Sequence, residues 1–243
     1  MQQYLQRSRS AWYSFLFCIP LLALYQVGVV VTNLGEGGIV VNGADALLQA
    51  ALRGLGMGGW FSSAWFLAGV VGVLIYRRDP LARGKPVEKG TFIPMLTESA
   101  IYAALFGGVV AGIVRAVMPW IDTDLQAGPL LGLDRSLVLS LGAGLYEELL
   151  FRVIGMGGLY WLIRRFMTVH PTAAALAAAI VSSLFFSLFH YVGPLGDRFQ
   201  LASFMFRLVA GMVLAGIYWL RGFGIAAYTH ALYDVYLVIA TSG

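Results

Sequence analysis

The heptapeptide YEELLFR, Tyr146–Arg152, places two adjacent carboxylates and a guanidinium inside an apolar run that extends from Leu137 to Ile163. Glu148 and Arg152 stand four residues apart with the acid N-terminal to the base, the favourable order for an ion pair on one helix face. Glu147 is turned about 100° from its neighbour at 3.6 residues per turn and falls outside that pair. An unpaired carboxylate in apolar surroundings can serve as a general base near neutral pH. The competing reading of the heptapeptide alone is a structural knot of all three charges. Histidines add a second kind of chemistry. His170, just before Pro171, reads as a loop residue, whereas His190 ends FFSLFH with Phe186 four residues earlier as an aromatic buttress. His230 and Asp234 in HALYD are also four apart, so they share a face and can converge on one ligand. Glu147, His190, His230 and Asp234 come from three segments, as a site in the core of a helix bundle requires.

The elements that must position these groups follow from composition. Of the 243 residues, 59% are hydrophobic and only 12% charged, with mean hydropathy +0.79, which is outside the range of a soluble globular domain. Apolar segments at 11–32, 59–76, 91–118, 136–163, 172–192, 199–220 and 222–240 are long enough to cross a bilayer, for about seven spans. They are continuous rather than alternating in polarity, which predicts helices and excludes a barrel. The expected fold is therefore all-α, a polytopic transmembrane bundle. Segment 44–56, ADALLQAALRGLG, mixes polar residues with leucines and reads as a short amphipathic surface helix, its polar positions arguing against burial. A lone cysteine, Cys18, permits no internal disulfide and no cysteine metal cluster. The net charge of +4 comes from scattered basic residues rather than one stripe, so nucleic acid is not an expected partner.

Basic residues set an orientation. Arg7 and Arg9 precede the first span, RRDPLARGKPVEK (77–89) follows the second, Arg164 and Arg165 follow the fourth, and Arg221 follows the sixth. On a seven-span count they share one side, which the positive-inside rule makes cytoplasmic, with the N-terminus; the opposite loops hold WIDTD and GPLGDR. The first apolar run reads as a retained helix rather than a signal peptide. The Gly- and Pro-containing 77–89 stretch suits a boundary between N-terminal membrane helices, 1–90, and a catalytic helical core, 91–243. Ionisable residues at membrane depth cost about 2.5–3.5 kcal/mol each, so they read as functional or paired. Glu98 and Arg115, near the ends of a long segment, read as snorkelling structural charges.

Three motifs in order, EELLFR as EExxxR, FSLFH as FxxxH and HALYD as HxxxN/D, resemble those of the CPBP family of intramembrane endopeptidases, whose best-known branch is the type II CAAX prenyl endopeptidase. They span residues 147–234. The resemblance implies that Glu147 activates water with His190 assisting, that Glu148 and Arg152 support the architecture, and that His230 with Asp234 helps to stabilise an oxyanion. One departure is Asp234, where the CAAX branch usually has Asn. An ionised carboxylate only accepts hydrogen bonds, so Asp234 suits orienting His230 better than holding an oxyanion. Arg207, without a partner along its own helix, could balance an acid of the site or bind a substrate carboxylate. The implied activity is glutamate-type hydrolysis of a membrane-anchored or lipid-linked peptide without cofactor, by a multi-pass protein of a prokaryotic plasma membrane.

Other readings stay open on the sequence. His190, His230 and a glutamate could make a two-His, one-carboxylate zinc site for a zinc-dependent protease, although the HExxH pattern is missing. The same charges could relay protons in a transporter, though no internal duplication is visible. A non-catalytic scaffold would need motif residues missing, and none is. The expected depths also disagree: His190 lies near the outer Gly193–Pro194 break, whereas His230 lies about 12 Å from the inner end of its span at 1.5 Å per residue.

Overall fold

A computed structural model describes residues 2–34, 40–56, 60–83, 86–120, 132–193 and 196–242, with the side chains of 60–63 excepted. The expected loop WIDTD lies outside these residues beyond Trp120, and so do positions 194 and 195 of GPLGDR, which include the Pro194 of the expected break. Helix α1 (Gln2–Ser8) leads to α2 (Ala11–Thr32), which starts where the Ser10 hydroxyl accepts the N–H groups of Trp12 and Tyr13. Asn42 caps α3 (Gly43–Gly54) in the same way through the N–H of Ala44, and α4 is Trp60–Arg78. A single tight turn, Lys89–Thr91, opens α5 (Phe92–Val117). Next, α6 (Leu133–Gly142) widens into two π-helical stretches, Ala143–Glu147 and Leu149–Met156, and narrows again into α7 (Gly157–Phe166). The chain ends with α8 (Pro171–Phe189), α9 (Leu201–Arg221) and α10 (Phe223–Thr241).

The described elements are all helical, as the continuous apolar segments predict. Five helical segments are long and apolar enough to cross a membrane: Ala11–Thr32, Lys89–Val117, Pro171–Phe189, Leu201–Arg221 and Phe223–Thr241. The other two expected segments are helical as well. Trp60–Arg78 occupies the second, and the run from Leu133 through the π turns to Phe166 occupies the fourth, with Glu147, Glu148 and Arg152 at its middle. The reading of about seven spans is thus met by five on the length and hydropathy criterion.

Polar contacts show which ends lie together. The Asp79 carboxylate, just past α4, accepts from the Ser10 hydroxyl at 2.5 Å and the Trp12 N–H at 3.0 Å, clasping the end of α4 to the start of α2. Arg221, at the end of α9, donates to both oxygens of Glu98 (2.5 and 2.8 Å) and to the Ser8 hydroxyl, while the Tyr4 hydroxyl donates to Glu98 at 2.6 Å. Glu98 therefore has an ionic partner from a distant helix instead of snorkelling alone. Tyr160 of α7 packs edge-on to Trp219 of α9 at 5.3 Å, which brings Arg164 and Arg165 to this end too. The described residues of all four basic clusters consequently gather at one end of the bundle.

Just inside that end, Phe17, Met95 and Ile225 are buried together, with Phe92, Ile217 and Tyr228 packed against them. Phe17 stacks on Tyr228 at 4.1 Å. Gly222 alone joins α9 to α10 and takes φ 92°, a left-handed conformation that side chains disfavour.

Helix α3 corrects one expectation. Asp45 (0% exposed) and Gln49 (3%) point inward, while Leu47 is 49% exposed. In a surface helix the polar positions argue against burial. In a bundle surrounded by hydrocarbon the relation inverts, and polar side chains find their partners in the interior.

Candidate active site

Each of the two glutamates of the π-helical run finds its own partners. Glu148 lies 3.0 Å from the Arg152 Nε, and both side chains are fully buried, so the sequence-expected pair forms. The other Glu148 oxygen, Oε1, is 2.9 Å from His230 Nδ1. Glu147 is separate: its Oε1 accepts from the Asn42 amide at 2.9 Å, and its Oε2 faces His190 Nε2 at 3.8 Å. That oxygen is buried and has no hydrogen-bond partner among the described residues.

The angular estimate behind this division assumed an α-helix. Here the helix runs through π turns, which close i to i+5 bonds and change the azimuth of every side chain. The separation of Glu147 from the Glu148–Arg152 pair survives, but the geometry producing it is wider. Gly144 and Ser182 show how the run is accommodated. A Cβ on Gly144 would stand 2.4 Å from the Ala227 carbonyl oxygen and 2.5 Å from the Ala231 Cβ, so only glycine lets α10 approach this closely. On the opposite flank, the Ser182 hydroxyl of α8 donates to the Phe151 carbonyl within the widened segment.

His190 terminates α8. Its Nδ1 lies 2.8 Å from the Phe186 carbonyl oxygen; a carbonyl can only accept, so Nδ1 carries the proton there and Nε2 is directed at Glu147. His230 Nε2 is 3.4 Å from Asp234, so this imidazole stands between two carboxylates. Phe186 is the common wall: its ring meets His190 edge-on at 5.0 Å and His230 at 5.8 Å, and the Arg152 guanidinium lies 4.6 Å from its centroid. A cation over a buried ring face is favourable. This also resolves the unequal depths. Adjacent glutamates reach one histidine each, so the two imidazoles need not be level.

Arg207 stands at the rim. Its Nη2 bonds Asp197 Oδ2 at 2.5 Å, and its guanidinium lies 5.4 Å from the centroid of the Tyr191 ring. The Asp197 N–H donates in turn to the His190 carbonyl at 2.8 Å. The missing partner along its own helix is thus supplied by the chain that returns from His190.

Sequence reasoning missed Asn42 and the polar groups behind it. The Asn42 N–H donates to the Tyr25 hydroxyl at 3.1 Å, and that hydroxyl donates to Asp45 at 2.9 Å. Gln26 donates to the Tyr146 hydroxyl at 3.1 Å. The legible signal was the polar content of α3, Asp45 and Gln49 on one face in an otherwise apolar chain. No group of three His, Cys, Asp or Glu side chains among the described residues is arranged to hold a metal ion. The carboxylate and imidazole groups nevertheless offer a base, a proton carrier and donors within one buried cluster.

Residues 130–236, which contain all of these groups except those of α2 and α3, match a model of a protease family. With the helical bundle, this makes the protein an integral membrane peptidase. That model is described as type II CAAX prenyl endopeptidase Rce1-like, and the similarity covers residues 130–236 of the chain. No curated protein and no solved structure matches the chain.

Proposed function

We propose that the protein is a glutamate-type intramembrane endopeptidase that cleaves a membrane-anchored or lipid-linked peptide, prenylated peptides being the kind of substrate in its family's description. The observation that carries this reading is the division of the glutamates: Glu148 is ion-paired to Arg152 at 3.0 Å and bonded to His230, while Glu147 is held at Oε1 by Asn42 and turns its buried Oε2 to His190 at 3.8 Å.

In the reaction, Glu147 takes a proton from water as its oxygen attacks the scissile carbonyl carbon. The new C–O bond makes a tetrahedral oxyanion. His230 Nε2–H, held loosely by Asp234 and fixed at Nδ1 by Glu148, donates to that oxyanion. Collapse breaks the C–N bond, and the proton taken from water passes by way of Glu147 and His190 to the leaving amine. Asn42 fixes the Glu147 oxygen that does not face His190, and Arg207 secures the chain beyond His190. Residues 91–243 carry the groups that react, and 1–90 contributes the positioning contacts of Asn42 and Tyr25. The basic end faces the cytoplasm by the positive-inside rule.

No step uses a metal. The test is cleavage of a membrane-anchored peptide by the purified protein before and after exhaustive chelation, beside Glu147→Ala and His190→Ala. Full rate after chelation and loss of cleavage in both folded variants are expected. Unchanged cleavage by Glu147→Ala, or loss on chelation that zinc restores, would overturn the reading.

A further inference from the structure

Asp45 is a buried carboxyl group that the hydrolysis leaves unused. It lies on α3, outside the 130–236 region, and both it and Tyr25 are 0% exposed. A carboxylate at such depth is costly unless donors are aimed at it. The Tyr25 hydroxyl donates to Oδ2 at 2.9 Å and the Gln49 amide to Oδ1 at 3.3 Å.

Asp45 stands three residues after Asn42, the cap of α3, where the acid of a capping box takes the N–H of the cap residue itself. In this chain the Tyr25 hydroxyl accepts that N–H at 3.1 Å and donates to Asp45, so a side chain of α2 is built into the cap of α3. The insertion fixes how Asn42 is turned. Its Oδ1 accepts the Ala44 N–H at 2.9 Å and its backbone N–H is held by Tyr25, which directs the amide nitrogen at Glu147 Oε1, 2.9 Å away. The reversed amide would set one acceptor against another at both Glu147 and Tyr25's side of the cap loses its register.

The segment that carries Glu147 is shaped to receive this group. A Cβ on Gly142 would stand 2.4 Å from the Tyr25 ring and 3.0 Å from the Asn42 Cβ, and the Tyr25 ring lies 5.3 Å from that of Tyr146, the neighbour of Glu147. On the other flank, a Cβ on Gly43 would meet the ring of Phe189, the neighbour of His190, at 3.3 Å. The start of α3 is therefore seated between the glutamate and the histidine that face each other.

We propose that Asp45 is a positioning residue of the active site: through the Tyr25 hydroxyl it orients Asn42, and through Asn42 it sets the direction in which the Glu147 carboxylate points. Its effect on catalysis rests on the peptidase reading, whereas the orientation of Glu147 does not.

The purified chain and its Asp45→Ala, Tyr25→Phe and Asp45→Asn variants would be compared on one membrane-anchored peptide. Asp45→Ala and Tyr25→Phe are each expected to lower kcat by about tenfold with KM unchanged. Asp45→Asn keeps a carbonyl oxygen for the Tyr25 hydroxyl and should recover most of that rate. Tyr25→Phe retains the ring, so it carries the comparison if Asp45→Ala does not fold. In an Asn42→Ala background neither change should lower kcat further, because the path to Glu147 is already broken. Leu52→Ala, at a buried packing position of the same helix, should lower the melting temperature and leave kcat unchanged. Losses that multiply with that of Asn42→Ala, or an equal fall in kcat for Leu52→Ala, would overturn the proposal. A second readout needs no cleavage: the infrared carboxyl band of Glu147, isolated as the difference between each protein and its Glu147→Gln counterpart, should shift in Asp45→Ala and Tyr25→Phe. A band that stays in place would overturn the proposal whatever the protein cleaves. A shifted band in a protein that cleaves no peptide would uphold the positioning and sink the peptidase reading instead.

Discussion

Glu147 and Glu148 differ by one position and by the groups they bond and pair with directly. A pair of like side chains in one apolar helix becomes chemically distinct because one is ion-paired with Arg152 and bonded to His230, whereas the other is bonded to the Asn42 amide and faces His190 at 3.8 Å. Asn42 is what holds that bonded oxygen, and its loss should leave Glu147 free to rotate. Asn42→Ala is expected to lower kcat by about tenfold to a hundredfold with KM little changed, since a misplacement near 1 Å can carry a penalty of that order. Steady-state kinetics on one peptide would check it, and a change confined to KM would remove the positioning role. The pair Glu148–Arg152 was legible from i, i+4 spacing, and so was the placement of Phe186 beside His190. The Glu148–His230 contact was not, because it joins residues 82 apart and no local rule gives the azimuth of one helix relative to another. Asn42 was hidden for a different reason: a polar residue before a helix reads as an ordinary cap, and it does cap α3 through its side-chain oxygen while its amide serves Glu147.

At the scale of elements, the π-helical run and α10 depend on each other through Gly144. Gly144→Ala would set a methyl group against the Ala227 carbonyl and Ala231, forcing α10 outward and carrying His230 with it. A loss of about 1–3 kcal/mol is expected, as for overpacking elsewhere, together with a fall in activity; unchanged melting temperature would show that the close approach is dispensable. The start of α2 is held by Asp79 from beyond α4. Burial acts to raise the pKa of this carboxyl, but hydrogen bonds from Ser10 and from the N–H groups of Trp12 and Leu81 outweigh it and hold the group below its ordinary value. A lowered carboxyl contributes stability above its unfolded pKa, and the contribution disappears as pH falls through the folded value. The melting-temperature difference between wild type and Asp79→Asn should therefore be full near neutral pH and close in acid. A difference independent of pH would show that charge at Asp79 does not matter. Helix positions were legible because apolar runs of about 20 residues report spans directly. The π turns were not, since no residue type marks them.

For the whole molecule, the solvent decides which way polarity points. On the sequence α3 reads as a surface helix whose polar positions argue against burial, and it instead turns Asp45 to the Tyr25 hydroxyl and Gln49 to Asp45, with Leu47 exposed. The gathering of the basic clusters at one end was readable from sequence, because positive charge flanking apolar segments follows membrane sidedness. The filled layer of Phe17, Met95 and Ile225 was not, because it is made by helices far apart in the chain. The interior is thus where this molecule of low charge keeps its polar groups, each acid beside its own partners.

The central claim is that Glu147 reacts and Glu148 holds. Purified wild type, Glu147→Gln and Glu148→Gln would be compared for rate on one membrane-anchored peptide and for melting temperature in the same detergent. Glu147→Gln should lose cleavage while melting close to wild type. Glu148→Gln, which leaves the buried Arg152 without its counter-charge, should lose about 3–5 kcal/mol of stability. Equal stability losses in the two variants, or cleavage retained by Glu147→Gln, would contradict the division of roles.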